Sequence, residues 1–228
     1  YTLSYTLSLH DALPIYPQAF AFELARIYEA KQNFEMASRE YLSHLDMNPG
    51  MLDHISNQLV KMLENEGTSE IISQSFEAVL KTPGEHSALV LARAKVYLHE
   101  QRYDECAAIV LASDLSKSMA KVFSIANDLA ADRAWVPAAD LYLFISAKSR
   151  DKKQVGEALL RLAATYEYRL KGQESYHSLS GYFPGNQFLD LDVRILSGED
   201  ISLERTLKLY DSLQTLLPKT NAAFLASY

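Results

Sequence analysis

PQAFAFELARIYEAKQNFEMASREYLSHLDMNPG, residues 17–50, holds two apolar stripes separated by a short polar break and closed by Pro-Gly. Ala21, Leu24, Ala25, Ile27 and Tyr28 recur at three- and four-residue intervals, which places them on one face of a helix. Phe34, Ala37, Tyr41, Leu42 and Leu45 repeat the pattern after the break. Lys31-Gln32-Asn33 has no apolar content and offers Asn33 as N-cap of the second helix, while Pro49 in Met47-Asn48-Pro49 cannot extend it. Ala25 and Ala37 leave room at a helix crossing for Tyr28, Phe34 and Tyr41, a large-into-small match. The stretch therefore predicts a helix-turn-helix hairpin.

Thr82-Pro83-Gly84 stands 34 residues after Asn48-Pro49-Gly50, so the stop signal itself recurs in a chain with only 8 glycines and 7 prolines. The intervening unit has apolar stripes at Ile55, Leu59, Met62 and Leu63, then at Ile71, Ile72, Phe76, Val79 and Leu80. Its break is Glu66-Gly67-Thr68-Ser69, with Thr68 or Ser69 as expected N-cap. In a third unit Ala94, Tyr97, Tyr103 and Cys106 take the places of Ala25, Tyr28, Phe34 and Ala37. A fourth has Ala126, Leu129, Trp135, Ala138 and Tyr142, with Pro137 in the first turn of its second helix, where proline is tolerated. A looser fifth unit runs through Leu162-Ala163, Tyr166, Tyr176 and Leu179 to Phe183-Pro184-Gly185. A sixth follows the turn Gly198-Glu199-Asp200 and reads as a helix from about Ser202 through Leu207, Tyr210, Leu213 and Leu216 to Pro218.

The order Leu24-Ala25, Tyr28, Phe34, Ala37, Tyr41, Pro49 resembles the tetratricopeptide repeat (TPR), and its recurrence in register extends that resemblance along the chain. The resemblance implies an all-α fold, a right-handed α-solenoid of about six stacked helix-turn-helix repeats. The expected boundaries are 17–50, 51–84, 85–117, 118–151, 152–185 and 186–218, with the start of a further helix at 219–228. Residues 16–228 are expected to form this single solenoid. Residues 1–15, YTLSYTLSLHDALPI, carry YTLS twice in tandem and resemble translated sequencing-adapter read-through from a metagenomic fragment, so they are set aside as a non-native leader. On that expectation the native start is missing, and the compartment, cytoplasm or bacterial periplasm and cell envelope, stays open.

Composition narrows the function. The formal net charge of −7, or −6 without the leader that contains Asp11 and no Lys or Arg, disfavours binding to a nucleic-acid backbone. No apolar run reaches the length of a membrane span. Cys106 is the one cysteine, which excludes a disulfide framework or a cysteine zinc cluster and suits a buried small residue at a helix crossing. Glycine-rich phosphate loops, His-Glu-x-x-His, Cys-x-x-Cys, Gly-x-Ser-x-Gly and calcium-loop patterns are all missing from the sequence. The pairs His44 and His54, His86 and His99, and Asp190 and Asp192 do not put two metal ligands on one helix face. The expectation is a protein without catalytic residues, metal or cofactor.

In the family resembled, the first helices of successive repeats line a concave groove that takes an extended peptide or partner segment. Carried onto this chain, the groove positions are Phe22, Glu23, Arg26 and Glu29, then Asn57, then Leu91, Lys95 and His99, then Phe123 and Asn127. Phe22, Leu91 and Phe123 are expected as exposed apolar anchors, with Arg26, Lys95 and Asn127 fixing a carboxylate or backbone carbonyls. The variant of the family that clamps acidic chaperone tails uses Lys and Asn where this chain has Phe22, Arg26 and Val60, so that ligand is not implied. The reading is a protein-protein interaction scaffold. Two alternatives are an envelope-complex module handling outer-membrane or glycan partners, resembled weakly by Tyr176 to Pro184 and Tyr210 to Pro218, and the repeat arm of an enzyme.

Overall fold

The computed structural model describes residues 20–81, 84–182, 203–216 and 218, and every regular element among them is helical, with no strand. The leader 1–15, the stop signals Thr82-Pro83 and Phe183-Pro184-Gly185, the turn at 198–200 and the stub 219–228 lie outside these residues. None of the described helices is long and apolar enough to cross a membrane. The chain divides into two compact units, residues 1–100 and 101–228.

The first unit contains α1 (Ala21–Ala30), α2 (Phe34–Met47), a 3-10 turn (Pro49–Met51), α3 (Leu52–Met62), α4 (Thr68–Leu80) and α5 (Ser87–His99). Asn33 caps α2 as its sequence suggests, its side chain accepting from the Met36 amide at 3.2 Å. Ala25, Ala37, Tyr41, Leu42 and Leu45 are fully buried, so the α1/α2 hairpin closes through the small-large match. Ile27 differs: it lies on the side of α1 that α2 does not cover and is 44 % exposed. Beyond the hairpin, α2 packs on α4, and α3 on α5. Two buried hydroxyls, Ser38 and Ser75, meet at 2.7 Å across the α2/α4 contact. His86, at the entry to α5, reaches Asp46 near the end of α2 at 2.8 Å.

The α3/α4 turn corrects one expectation. Gly67, not Thr68 or Ser69, precedes the helix, at φ +78°, a conformation glycine adopts without penalty. Thr68 is already helical, and its hydroxyl turns back to the Met62 and Asn65 carbonyls, at 2.7 Å from each. Ser69 is bonded to Glu100.

The second unit contains α6 (Tyr103–Leu111), a 3-10 turn (Ser116–Ser118), α7 (Met119–Ala131), α8 (Trp135–Lys148), α9 (Lys152–Tyr182) and α10 (Leu203–Leu216). Helix α8 packs on α6, α7 and α9, and α10 packs on α9. Pro137 sits in the first turn of α8, as its position predicts. Cys106 is fully buried, and burial pushes its thiol up to about 12, the inert small-hydrophobe role. A second correction concerns residues 152–185, expected to form a hairpin: residues 152–182 are one 31-residue helix. The positions that match Lys31-Gln32-Asn33 are Arg169-Leu170-Lys171, which supply no N-cap, and the buried Arg169 side chain ties this segment to the core. The interior Gly172 costs only about 1 kcal/mol against alanine, too little to break the helix unaided.

Three helix ends share one backbone device. Gln32, Gln101 and Arg133 have φ of 57°, 58° and 62°, left-handed positions that non-glycine residues seldom adopt. After α1 the Asn33 amide reaches the Tyr28 carbonyl and the Gln32 amide that of Glu29, both at 2.9 Å. After α7 the Ala134 amide reaches Leu129 at 2.9 Å and the Arg133 amide Ala130 at 3.1 Å. This is the Schellman pairing, in which the left-handed residue turns the chain while capping the last carbonyls. Because an L side chain there costs about 1–2 kcal/mol, Gln32→Gly and Arg133→Gly should each raise the unfolding free energy by about 0.5–1 kcal/mol in urea titrations, after the entropic cost of glycine of about 0.5–1 kcal/mol. No gain in either variant would show that the left-handed backbone carries no strain there.

Candidate functional site

On α1, Phe22, Arg26, Glu29 and Ala30 follow the i, i+4, i+7, i+8 spacing of one stripe, and on α3 His54, Gln58 and Lys61 follow i, i+4, i+7. These two stripes line a cleft of about 640 Å³ in the first unit, with Tyr41 of α2 contributing to its wall. Leu52, Ile55, Leu59 and Met62 of α3 are buried, which turns the 54-58-61 flank to the cleft.

Phe22 is held by rings on both neighbouring helices. It meets Tyr41 edge-on at 5.9 Å, His44 at 5.5 Å and His54 at 5.4 Å. The Tyr41 hydroxyl donates to Glu29 Oε2 at 2.6 Å. Burial, then the hydrogen bond and the negative charge of Glu29, push the Tyr41 phenol far above its ordinary range, while the nearby Arg26 charge pulls the other way. Glu29 thus has an internal partner. Arg26 and Lys61 are exposed and form no ion pair among the described residues, so the cleft presents two uncommitted cations beside an aromatic face.

Of the positions expected from sequence, the structure brings Phe22, Arg26 and Glu29 together. Glu23, Asn57 and His99 are exposed and do not line the cleft. Leu91 is a correction: it is 2 % exposed, not a surface anchor. Helix α5 is buried on nearly every side, at Ala88, Leu89, Val90, Ala92, Ala94, Val96 and Tyr97 as well, because α2, α3 and α4 all pack on it. The signal lay in SALVLARAKVY, which is apolar all round instead of along a stripe. Lys95 is also committed, its ammonium 2.6 Å from Asp53 of α3.

In the second unit Phe123 and Asn127 surround Tyr142 as Phe22 and Glu29 surround Tyr41. Phe123 meets the Tyr142 ring edge-on at 5.8 Å and 62°, against 5.9 Å and 64° for Phe22 and Tyr41. The Tyr142 hydroxyl donates to Asn127 Oδ1 at 2.8 Å, so this amide oxygen serves the hairpin. His54, Gln58 and Lys61 were missed by sequence reasoning, which chose Asn57, one residue and about 100° away around the helix. Among the described residues no three His, Cys, Asp or Glu side chains gather as a metal site would require.

No protein-family model matches the chain, and no curated protein or solved structure matches it. The geometry of the cleft is therefore what bears on function.

Among the described residues Tyr103 is raised by burial and by Asp132, and three other phenols are raised strongly. Burial raises Tyr142 to about 12, with Asp128 and Glu157 adding to the rise and Arg161 opposing it, and burial with the Glu167 hydrogen bond raises Tyr210 to about 12; Tyr41 is raised further. A raised folded-state value means that the stabilisation is complete below the ordinary tyrosine value of 10.0 and is lost as pH climbs through 10 towards 12. Ultraviolet difference titration should show these three tyrosines ionising after the rest, together with the loss of helical circular dichroism. Titration of every tyrosine in one step near 10, with the helices intact, would contradict the burial and bonding of these hydroxyls.

Proposed function

We propose that this chain is a helical-repeat scaffold of the tetratricopeptide type, a right-handed solenoid that works by binding and not by catalysis. Its first-unit cleft takes an extended peptide segment of a partner protein, carrying a carboxylate next to an apolar side chain. Three features support the repeat reading: the shared left-handed turns, the matching Phe-Tyr geometry of the α1/α2 and α7/α8 hairpins, and the contacts of α2 with α4 and α3 with α5. The observation that carries the binding reading is the cleft between α1 and α3, where Arg26 and Lys61 lack internal ion pairs while the Phe22 ring is fixed by Tyr41, His44 and His54. A rigid aromatic face costs little side-chain entropy on binding, and a guanidinium with an ammonium can share one carboxylate.

The test is an array of extended peptides in which net charge and the position of one aromatic or aliphatic residue are varied, followed by solution affinities for the best binders. Acidic peptides with an adjacent apolar residue are expected to bind best, and Arg26→Ala with Lys61→Ala should weaken them by at least about 10-fold, the worth of one charge-assisted hydrogen bond. Glu23→Ala, outside the cleft, should leave the affinity unchanged. Equal binding of acidic and basic peptides, or an unaltered affinity in the double variant, would remove the proposal.

A further inference from the structure

Phe22 touches two imidazoles, and only one of them belongs to the cleft. His44 of α2 meets the ring tilted at 45° and His54 of α3 tilted at 48°. His44 is half-buried near the end of α2, its Nδ1 lies 3.5 Å from the Asn48 amide nitrogen, and it does not line the cleft. His54 is exposed, lines the cleft, and forms no hydrogen bond or ion pair among the described residues. Its ring contact with Phe22 therefore leaves the imidazole nitrogens open to a ligand.

The groups around His54 supply it with no acid. From α1 come Arg26 and Glu29, from α2 Tyr41 and, across the Phe22 ring, His44, and from α3 itself Lys61. Glu29 already accepts from the Tyr41 hydroxyl at 2.6 Å. Asp53, next to His54 in sequence, lies 2.6 Å from the Lys95 ammonium, which α5 brings against α3. With these two carboxylates engaged, a negative partner for an imidazolium at position 54 has to come from the ligand.

Resting on the binding proposed above for this cleft, we propose that the site takes up a proton together with its acidic peptide: His54 becomes charged on binding and acts as a third cation on the carboxylate. One residue of extended chain advances about 3.4 Å, less than the roughly 5.4 Å of a helical turn. A carboxylate next to the apolar residue that covers Phe22 thus comes as close to His54, in contact with the ring, as to Arg26 one turn further along α1. A carboxylate beside an imidazole favours the charged form of both. Imidazoles exchange their proton in the physiological range, whereas arginine and lysine side chains keep their charge throughout it. A group whose proton is held more tightly in the complex than in the free chain adds affinity in full at low pH, and that addition is lost as pH climbs through the value in the complex. Binding therefore tightens as pH falls from about 8 to about 5.5, and weakens again only below about 4.5, where the peptide's own carboxylate is neutralised.

The test uses the full chain and acetylated, amidated array peptides that carry one glutamate beside one leucine, with twins in which glutamine replaces the glutamate. The glutamate peptides should bind at least about 5-fold more tightly near pH 5.5 than near pH 8, and calorimetry in buffers of different ionisation heat should read a net proton uptake on binding. The glutamine twins should show neither effect. His54→Gln changes an exposed side chain, so the chain stays folded; it should abolish both effects while keeping the binding measured near pH 8. His44→Gln, outside the cleft, should retain the pH dependence. The His86–Asp46 pair is intact in both variants, so a contribution from it would persist in His54→Gln. A pH dependence that survives His54→Gln, or glutamate peptides that bind equally near pH 5.5 and pH 8, would overturn the inference and leave the proposed function standing. Failure of every glutamate peptide to bind at any pH would remove that function and this inference with it.

Discussion

A helix hairpin must reverse its chain within a few residues while leaving no buried backbone group unpaired, and here a single left-handed residue meets both demands. At Gln32 and Arg133 the positive φ aims two successive amides back at the last helical carbonyls, so the turn caps one helix and launches the next. With the turn fixed at three residues, the side chains of paired helices face each other in a set register: Ala25 and Ala37 at one crossing, Ala126 and Ala138 at the other, all fully buried. The glutamine and arginine are tolerated because their long side chains point to water and the backbone strain is small beside the hydrophobic burial that the turn permits.

The register then decides where the tyrosines go. Tyr41, Tyr142 and Tyr210 each carry a hydroxyl to a partner on the neighbouring helix, where Glu29, Asn127 or Glu167 accepts it. A phenol is suited to this place, since its ring buries large apolar area and its polar end needs a partner if it is not to be stranded. In the first unit the same arrangement shapes the cleft. Glu29 is engaged by Tyr41, Arg26 forms no ion pair among the described residues, and the Tyr41 ring meets Phe22 edge-on.

Much of this was legible in residues 17–50, because stripe, cap and stop signals there agree with one another: Asn33 caps α2, and α2 ends at Met47 before Pro49. The signals became ambiguous where they conflict or are missing. Thr68 has the chemistry of an N-cap, but the adjacent Gly67 can take the left-handed turn and frees the hydroxyl to bond backward. In α5 the carried-over groove position Leu91 met a helix with apolar residues on all sides, and packing by three neighbours outweighed the analogy. In α3 the cleft is lined by Gln58 and not by the expected Asn57 beside it, since a degenerate stripe defines a helix face only to within about one position. The fifth hairpin failed for want of a break: Arg169-Leu170-Lys171 lacks a cap, and Leu170, in the place of the left-handed Gln32, is half-buried beside a buried arginine. That α10 would pair with α9 depends on contacts distant in sequence, which no local periodicity encodes.

Because Tyr41 belongs both to the hairpin and to the cleft wall, the binding proposed for the cleft is linked to the stability of the first unit. A ligand that occupies the cleft only when α1, α2 and α3 are assembled adds RT ln(1 + [L]/Kd) to the stability of that assembly. In return, any change that loosens Tyr41 lowers the fraction of molecules with a competent cleft, and the apparent affinity falls by that fraction even though no contacting group is lost. The hydrogen bond from Tyr41 to Glu29 would therefore act on the proposed ligand without touching it, by keeping the Phe22 ring and the two cations on helices of fixed spacing. Nothing comparable constrains the exposed Glu23 and Asn57, which share those helices but lie outside the cleft.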